Sequence, residues 1–96
     1  MGADAKLSGI AERIIPVVYD EAFEGTYELK IGETLFLDAV VTGRAGKLQT
    51  KPEMTVLNSQ VAELNGNEVT GIKLGTTTVK FTYENLETSI KVKVVK

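Results

Sequence analysis

Few residues of this sequence could do chemistry, and the first candidate is a glycine-containing segment at residues 71–76, GIKLGT. It resembles a phosphate-binding loop, in which backbone amides cradle a phosphate group. That loop needs four residues between its glycines, then lysine and serine or threonine, whereas three residues separate Gly71 from Gly75 and threonines follow. The segment also leads into a predicted strand instead of a helix. We therefore interpret Gly71 and Gly75 as residues that permit a tight connection between strands.

The carboxylates are the second candidate for chemistry. Asp20, Glu21 and Glu24 could supply oxygen ligands to calcium, but their spacing is not that of an EF-hand loop, and we favour a solvated acidic loop. The chain has no histidine to activate its serines. It has no cysteine either, so zinc and most transition metals lack their usual ligands. We predict no catalytic residue, no metal site and no cofactor, and hence a protein that is not an enzyme.

The length and composition limit the other classes of function. The chain has 96 residues, enough for one domain, and its 43% hydrophobic and 25% charged residues are typical of a globular protein. A net charge of −2 argues against nucleic-acid binding by phosphate neutralisation. No apolar run is long enough to span a bilayer, and residues 1–20 lack the continuous apolar stretch of a signal peptide. We therefore expect no nucleic-acid partner and no membrane insertion.

The elements that must position any site are short strands. Every second side chain is apolar in residues 27–31 and 35–41, and apolar or threonine in residues 76–83 and 88–95, which is typical of strands with one buried face. The opposite face of residues 34–40 carries Thr34, Phe36, Asp38 and Val40. Asn65-Gly66-Asn67 predicts a tight hairpin turn, because Asn and Gly tolerate positive φ. Pro16 lies in an apolar run at residues 14–19 and predicts a strand at a sheet edge. The pattern predicts an all-β sandwich of about seven to eight antiparallel strands at residues 14–96, after an N-terminal arm at residues 1–13.

Three segments carry a resemblance to a known family. They are residues 29–37 (LKIGETLFL), 58–64 (NSQVAEL) and 67–79 (NEVTGIKLGTTTV). Together they resemble the bacterial Ig-like group 2 (BIG2) domain, and the resemblance covers roughly residues 14–96. Many such domains carry a tryptophan before the second segment, where this chain has none, so we expect Met54 or Val56 to fill that core space. The resemblance implies an immunoglobulin-like β-sandwich without catalytic residues.

The resemblance also suggests where such a protein works. Similar domains occur in bacterial adhesins and wall-associated proteins, and in phage capsid and tail proteins. We expect a small phage virion accessory protein that decorates the capsid or tail at the virion surface, because the chain begins with Met, lacks an export signal and has an arm that could dock on a shell. The alternative is one repeat of a secreted adhesin or a cell-wall or S-layer protein. It would act at the bacterial surface as a spacer or as a module that binds carbohydrate or protein. A carbohydrate-binding module attached to a hydrolase is a third, weaker class.

Five residues are candidates for contact with a partner, which would be the capsid or tail shell, a neighbouring surface domain or a cell-surface polysaccharide. Phe23 and Phe36 lie off the predicted core faces, whereas Tyr27, Phe81 and Tyr83 are predicted to lie in the core. The other three candidates are Lys80, Lys91 and Lys93, which alternation places on one exposed face together with threonines. A solvated strand ordinarily carries lysine and threonine on its outer face, so we favour the interpretation that these lysines are surface residues without a partner-binding role.

Overall fold

The computed structural model describes residues 11–44, 46–48 and 50–96, which form two β-sheets packed face to face. The described residues contain ten strands, of which two are only two residues long, so the eight longer strands agree with the predicted number. The strands are β1 (Ala11–Val18), β2 (Glu21–Ala22), β3 (Thr26–Lys30), β4 (Thr34–Gly43), β5 (Gly46–Lys47), β6 (Glu53–Val56), β7 (Ala62–Asn65), β8 (Glu68–Gly71), β9 (Gly75–Tyr83) and β10 (Leu86–Val95). The prediction of an all-β sandwich is confirmed.

The strand order shows how the chain divides between the two sheets. The first sheet has the order β2-β1-β4-β8-β7, with β5 paired to β4, and the second has the order β3-β10-β9-β6. All pairings between the named strands are antiparallel except that of β3 with β10, which is parallel. The prediction of antiparallel strands was wrong for this pair. Alternation specifies which face a side chain occupies, but it carries no information about the direction of the neighbouring strand.

The core lies between the sheets and follows the predicted alternation. Leu35, Leu37, Ala39 and Val41 of β4 face the second sheet, and the residues between them (Phe36, Asp38 and Val40) face outward. Removing one large apolar side chain from water stabilises the fold by about 1.5–3 kcal/mol. Met54 and Val56 both pack against this core, as the absence of tryptophan predicts. The largest fully buried side chains are Phe81, Leu35, Leu37, Val41, Val69, Val79, Val92 and Val94.

Strand β1 lies near a sheet edge, as Pro16 predicts. The Phe23 amide donates to the Pro16 carbonyl at 3.0 Å, so this carbonyl points away from β4. In a strand the N–H and the C=O of one residue point to the same side. The side of Pro16 that lacks an N–H therefore faces away from β4, and the hydrogen bonds between β1 and β4 are not interrupted. The strand begins at Ala11, so residues 11–13 of the predicted arm continue β1. Residues 1–10 lie outside the described residues.

The hairpin between β7 and β8 confirms the strongest turn prediction. Gly66 has a φ of +63°, the left-handed value that a tight primed turn requires at this position. The next residue fixes the hairpin to β4, because the Leu37 amide donates to the Asn67 carbonyl at 2.8 Å and Asn67 Nδ2 donates to the Leu37 carbonyl at 3.1 Å. The turn therefore places β8 beside β4 as well as reversing the chain.

Thr77 is the buried polar residue of the described core, with 4% of its surface exposed. Its Oγ1 accepts a hydrogen bond of 2.9 Å from the Asn58 amide, which holds the segment between β6 and β7. We expect Thr77→Val to lower the free energy of unfolding by about 1–2 kcal/mol, because the Asn58 amide loses its acceptor. Urea denaturation measures the change. The outward-facing Thr78→Val is the control, and equal effects of the two substitutions would contradict this role.

Candidate functional site

The two ends of the sandwich differ, and we name them for the rest of the description. The upper pole is the end where β3, β8 and β10 finish and β4, β7 and β9 begin. The lower pole is the opposite end, where β1 and β10 begin and β4 and β9 finish. At the upper pole the connections from β3 to β4 and from β8 to β9 cross from one sheet to the other. Ile31 bridges to Gly71, the Gly32 amide donates to the Gly71 carbonyl at 2.8 Å, and the Gly71 amide donates to the Glu33 carbonyl at 3.0 Å.

Three large apolar side chains are exposed at the upper pole. Ile31 is 47% exposed, Ile72 45% and Leu74 52%. Ile31 lies between β3 and β4, and the other two lie between β8 and β9. A lone exposed apolar residue is ordinary on a protein surface, but several at one end of a domain are typical of a contact surface. This set of three residues is the apolar pole, and it is the main candidate site.

The backbone holds the apolar pole in place. The amides of Ile72 and Lys73 both donate to the carbonyl of Val61, at 2.8 and 3.2 Å. A Cβ built on Gly75 would lie 3.3 Å from the Val61 side chain, so the loop packs tightly against this buried residue, which comes directly before β7. The segment 71–76, which we compared with a phosphate-binding loop, is thus a short connection between two strands. Its glycines serve close packing, as the sequence predicts.

A second exposed apolar pair lies on the outer face of the first sheet. Phe36 is 41% exposed and Tyr19 is 56% exposed. The Tyr19 amide donates to the Phe36 carbonyl at 3.3 Å, and Tyr19 Oη donates to the Thr34 carbonyl at 3.2 Å. Tyr19 and Asp20 both have positive φ, 48° and 67°, in the turn from β1 to β2. The exposure of Phe36 agrees with its selection from the sequence, whereas Tyr19 was missed because neither residue of that turn is glycine.

Phe23 is less available to a partner than the sequence suggested. Its ring is half-buried, packs against the core and meets the ring of Tyr27 edge to face, with 5.7 Å between centroids. The aromatic residues predicted to lie in the core differ among themselves. Phe81 is fully buried and Tyr27 packs at the core margin, while Tyr83 is half-buried at the lower pole. Sequence alternation placed Phe23 in a loop and gave no information about this edge-to-face contact.

The lysine candidates share one face, as predicted. Strand register places Lys80, Lys91 and Lys93 on the outer face of the second sheet, among outward threonines of β9. Lys80 Nζ lies 3.3 Å from Glu87 Oε1, an exposed pair of the kind that contributes at most about 1 kcal/mol. Phe36 lies on the opposite face of the sandwich, so the structure does not bring the five candidate residues into one site.

Two open cavities lie along the sides of the sandwich. The larger, about 480 Å³, lies between β1 and β10, with Arg13 and Glu24 as its charged lining residues. The other, about 330 Å³, is lined by Asp38, Lys47 and Lys51 together with apolar residues of β4. Among the described residues, the carboxylate that lines the first cavity is Glu24 and the one that lines the second is Asp38.

Two further properties concern the described part of the chain. Within residues 11–44, 46–48 and 50–96, no three His, Cys, Asp or Glu side chains come together in a way that could hold a metal ion. Across the same ranges, no helix has the length and apolar character needed to cross a membrane.

The fold and its surfaces define the chain as a two-sheet β-sandwich with an exposed apolar pole. Comparison with known proteins adds no family to this description, because no protein-family model and no curated protein sequence matches the chain. The assignment of function therefore depends on the surface features described above.

Proposed function

We propose that the protein is a non-catalytic surface module, an immunoglobulin-like β-sandwich of the BIG2 type that docks on a protein partner through its upper pole. The observation that supports this proposal is the exposure of Ile31, Ile72 and Leu74 at one end of the sandwich. The immunoglobulin-like type is supported by two face-packed sheets and by the three sequence segments that resemble the BIG2 family.

The apolar pole is suited to contact with protein. Each of its three side chains is about half exposed, so covering the remaining surface is worth roughly 1 kcal/mol per residue. The hydrogen bonds from Ile72 and Lys73 to Val61 order the loop before any partner arrives. A pre-ordered surface binds more tightly because it loses little conformational freedom on docking.

Two biological settings fit such a module. The first is a phage virion accessory protein on the capsid or tail, with residues 1–10, which lie outside the described residues, contributing to attachment. The alternative is one repeat of a secreted bacterial adhesin or cell-wall protein. A specific observation favours this alternative, because β1 begins at the lower pole and β10 ends at the upper pole. Modules joined in series would therefore meet pole to pole.

Fractionation of the source cells separates the two settings. An antibody raised against the purified protein would be applied to density-purified phage particles, to the cell-wall fraction and to the cytosol. The virion setting predicts the protein in the particles, and the bacterial setting predicts it in the wall fraction. If the protein occurred in the cytosol alone, the proposal of a surface module would be wrong.

The role of the apolar pole can be tested by Leu74→Glu. We expect binding to the isolated particle or wall fraction to weaken at least about tenfold, because the interface would have to bury a charge. The free energy of unfolding should change by less than about 0.5 kcal/mol, since the side chain is exposed. Leu57→Glu is the matched control, because Leu57 is 63% exposed but follows edge strand β6. Equal losses of binding in the two variants would refute docking through the pole.

A further inference from the structure

We propose that the upper pole of the protein binds the lower pole of a second copy, with both copies in the same orientation. This inference rests on the proposed function for the docking surface and deepens it by naming the partner. It is based on how exposed charges are distributed along the two sheets.

The second sheet carries opposite charges at its two ends. At the upper pole Lys30 ends β3, Lys93 lies near the end of β10 and Lys96 follows that strand, all exposed. Glu28, opposite Lys93, is the acidic residue of that end of the sheet. At the lower pole the acidic residues of this sheet outnumber the basic ones, which are the exposed Lys51 before β6 and Lys80, paired with Glu87. The acidic residues are Glu53 at the start of β6, Glu84 in the turn between β9 and β10, and Glu87 in β10.

The first sheet has the opposite polarity. At its lower end the exposed residues Arg13, Arg44 and Lys47 outnumber Glu12. At its upper end Glu63 lies on β7, opposite Thr70 at the end of β8. The connections between the sheets at this pole carry one charge of each sign, Glu33 before β4 and Lys73 before β9.

These distributions select one relative orientation of two copies. When one copy is stacked on another without rotation about the long axis, the basic end of the second sheet faces its acidic end, with Lys93 of β10 opposite the β9–β10 turn that carries Glu84, and Glu63 faces the basic end of the first sheet. Rotation of one copy by half a turn would instead place lysines against arginines. Complementary potentials of this kind determine register and exclude the wrong arrangement, and the apolar pole would lie at the centre of the contact.

The size of the contact indicates a weak interaction. The short axes of the molecule are 21 and 20 Å, so the two poles together could bury roughly 800 Å², below the range of stable complexes. A head-to-tail contact uses different surfaces on the two copies and can therefore repeat along a row. Copies that a shell or a polypeptide already holds close together would make this contact readily, because tethering raises the effective concentration.

Sedimentation velocity of the purified protein tests the proposal. At about 20 mM salt the weight-average sedimentation coefficient of the unmodified protein should rise with concentration. At about 0.5 M salt the apparent dissociation constant should rise at least about tenfold, because exposed charges are screened. Two variants with reversed poles, Lys30→Glu/Lys93→Glu and Glu53→Lys/Glu84→Lys, should each lose self-association. An equimolar mixture of the two should regain it, since the acidic upper pole of one meets the basic lower pole of the other.

The matched control for the single substitution Lys93→Glu is Lys91→Glu, because it makes the same change of net charge on the same face but in the middle of the second sheet. This variant should associate as the unmodified protein does. The proposal is overturned if the unmodified protein is monomeric up to about 1 mM at low salt, if the mixture fails to associate, or if the control variant loses association equally. A monomeric protein that still occurs in the virion or wall fraction would refute this inference and leave the proposed function intact.

Discussion

Phe81→Ala should lower the free energy of unfolding by about 3–5 kcal/mol, the largest effect we expect from a single substitution. Phe81 is the largest fully buried side chain, and its strand β9 pairs with both β10 and β6. The strands on both sides of Phe81 hold it in place, so the sheets cannot easily collapse onto the space that the ring leaves. Because single domains are stable by about 5–15 kcal/mol, this substitution should remove a large fraction of the free energy of unfolding.

Urea denaturation monitored by circular dichroism measures this effect. Phe36→Ala is the control, since Phe36 is 41% exposed on the outer face of the first sheet. Its loss should stay below about 1 kcal/mol, because much of its ring is already in contact with water. If Phe81→Ala cost no more than Phe36→Ala, the face-to-face packing described here would be wrong.

Gly71→Ala should lower the free energy of unfolding by about 2–4 kcal/mol, since overpacking and weakened hydrogen bonds both contribute. An added Cβ would lie 2.9 Å from the Lys30 carbonyl oxygen and 3.0 Å from Val94 Cγ1. The first of these atoms belongs to the backbone, so β3 would have to move away from β8. That movement would strain the hydrogen bonds that Gly71 makes with Gly32 and with Glu33.

The control for this variant is Gly66→Ala. Gly66 has a φ of +63° and open space where a Cβ would lie, so alanine there should cost only about 1–2 kcal/mol of backbone strain. Urea denaturation compares the two variants, and Gly71→Ala should also broaden the NMR signals of Ile31 and Ile72. A loss at Gly71 no greater than at Gly66 would contradict the close approach of β3 and β8.

The sequence predicted those parts of the fold that depend on local pattern. Alternation identified the inward face of β4, and Asn and Gly at residues 65–67 identified the hairpin. The parallel pairing of β3 with β10 was missed because it depends on how distant segments meet. A loop was predicted from Asp20 onward, but the positive φ of Tyr19 was not, since a tyrosine has no intrinsic preference for that conformation and tertiary contacts hold it there.

The candidate site was predicted less well, for a related reason. Residues 71–76 were recognised as a tight connection, but the exposure of Ile72 and Leu74 depends on hydrogen bonds to Val61, which lies ten residues or more away along the chain. Nothing local in the sequence distinguishes an exposed isoleucine from a buried one. The lysine face, in contrast, was predicted correctly because strand alternation alone places those side chains outward.

Hydroxyl-radical footprinting of the protein, free and bound to its isolated particle or wall fraction, tests most directly whether the upper pole is the docking surface. The account predicts that oxidation of Ile31, Ile72 and Leu74 falls on binding, while oxidation of Phe36 and Leu57 is unchanged. Protection of Phe36 with an unprotected apolar pole would show that the protein docks through the outer face of its first sheet and would contradict the account.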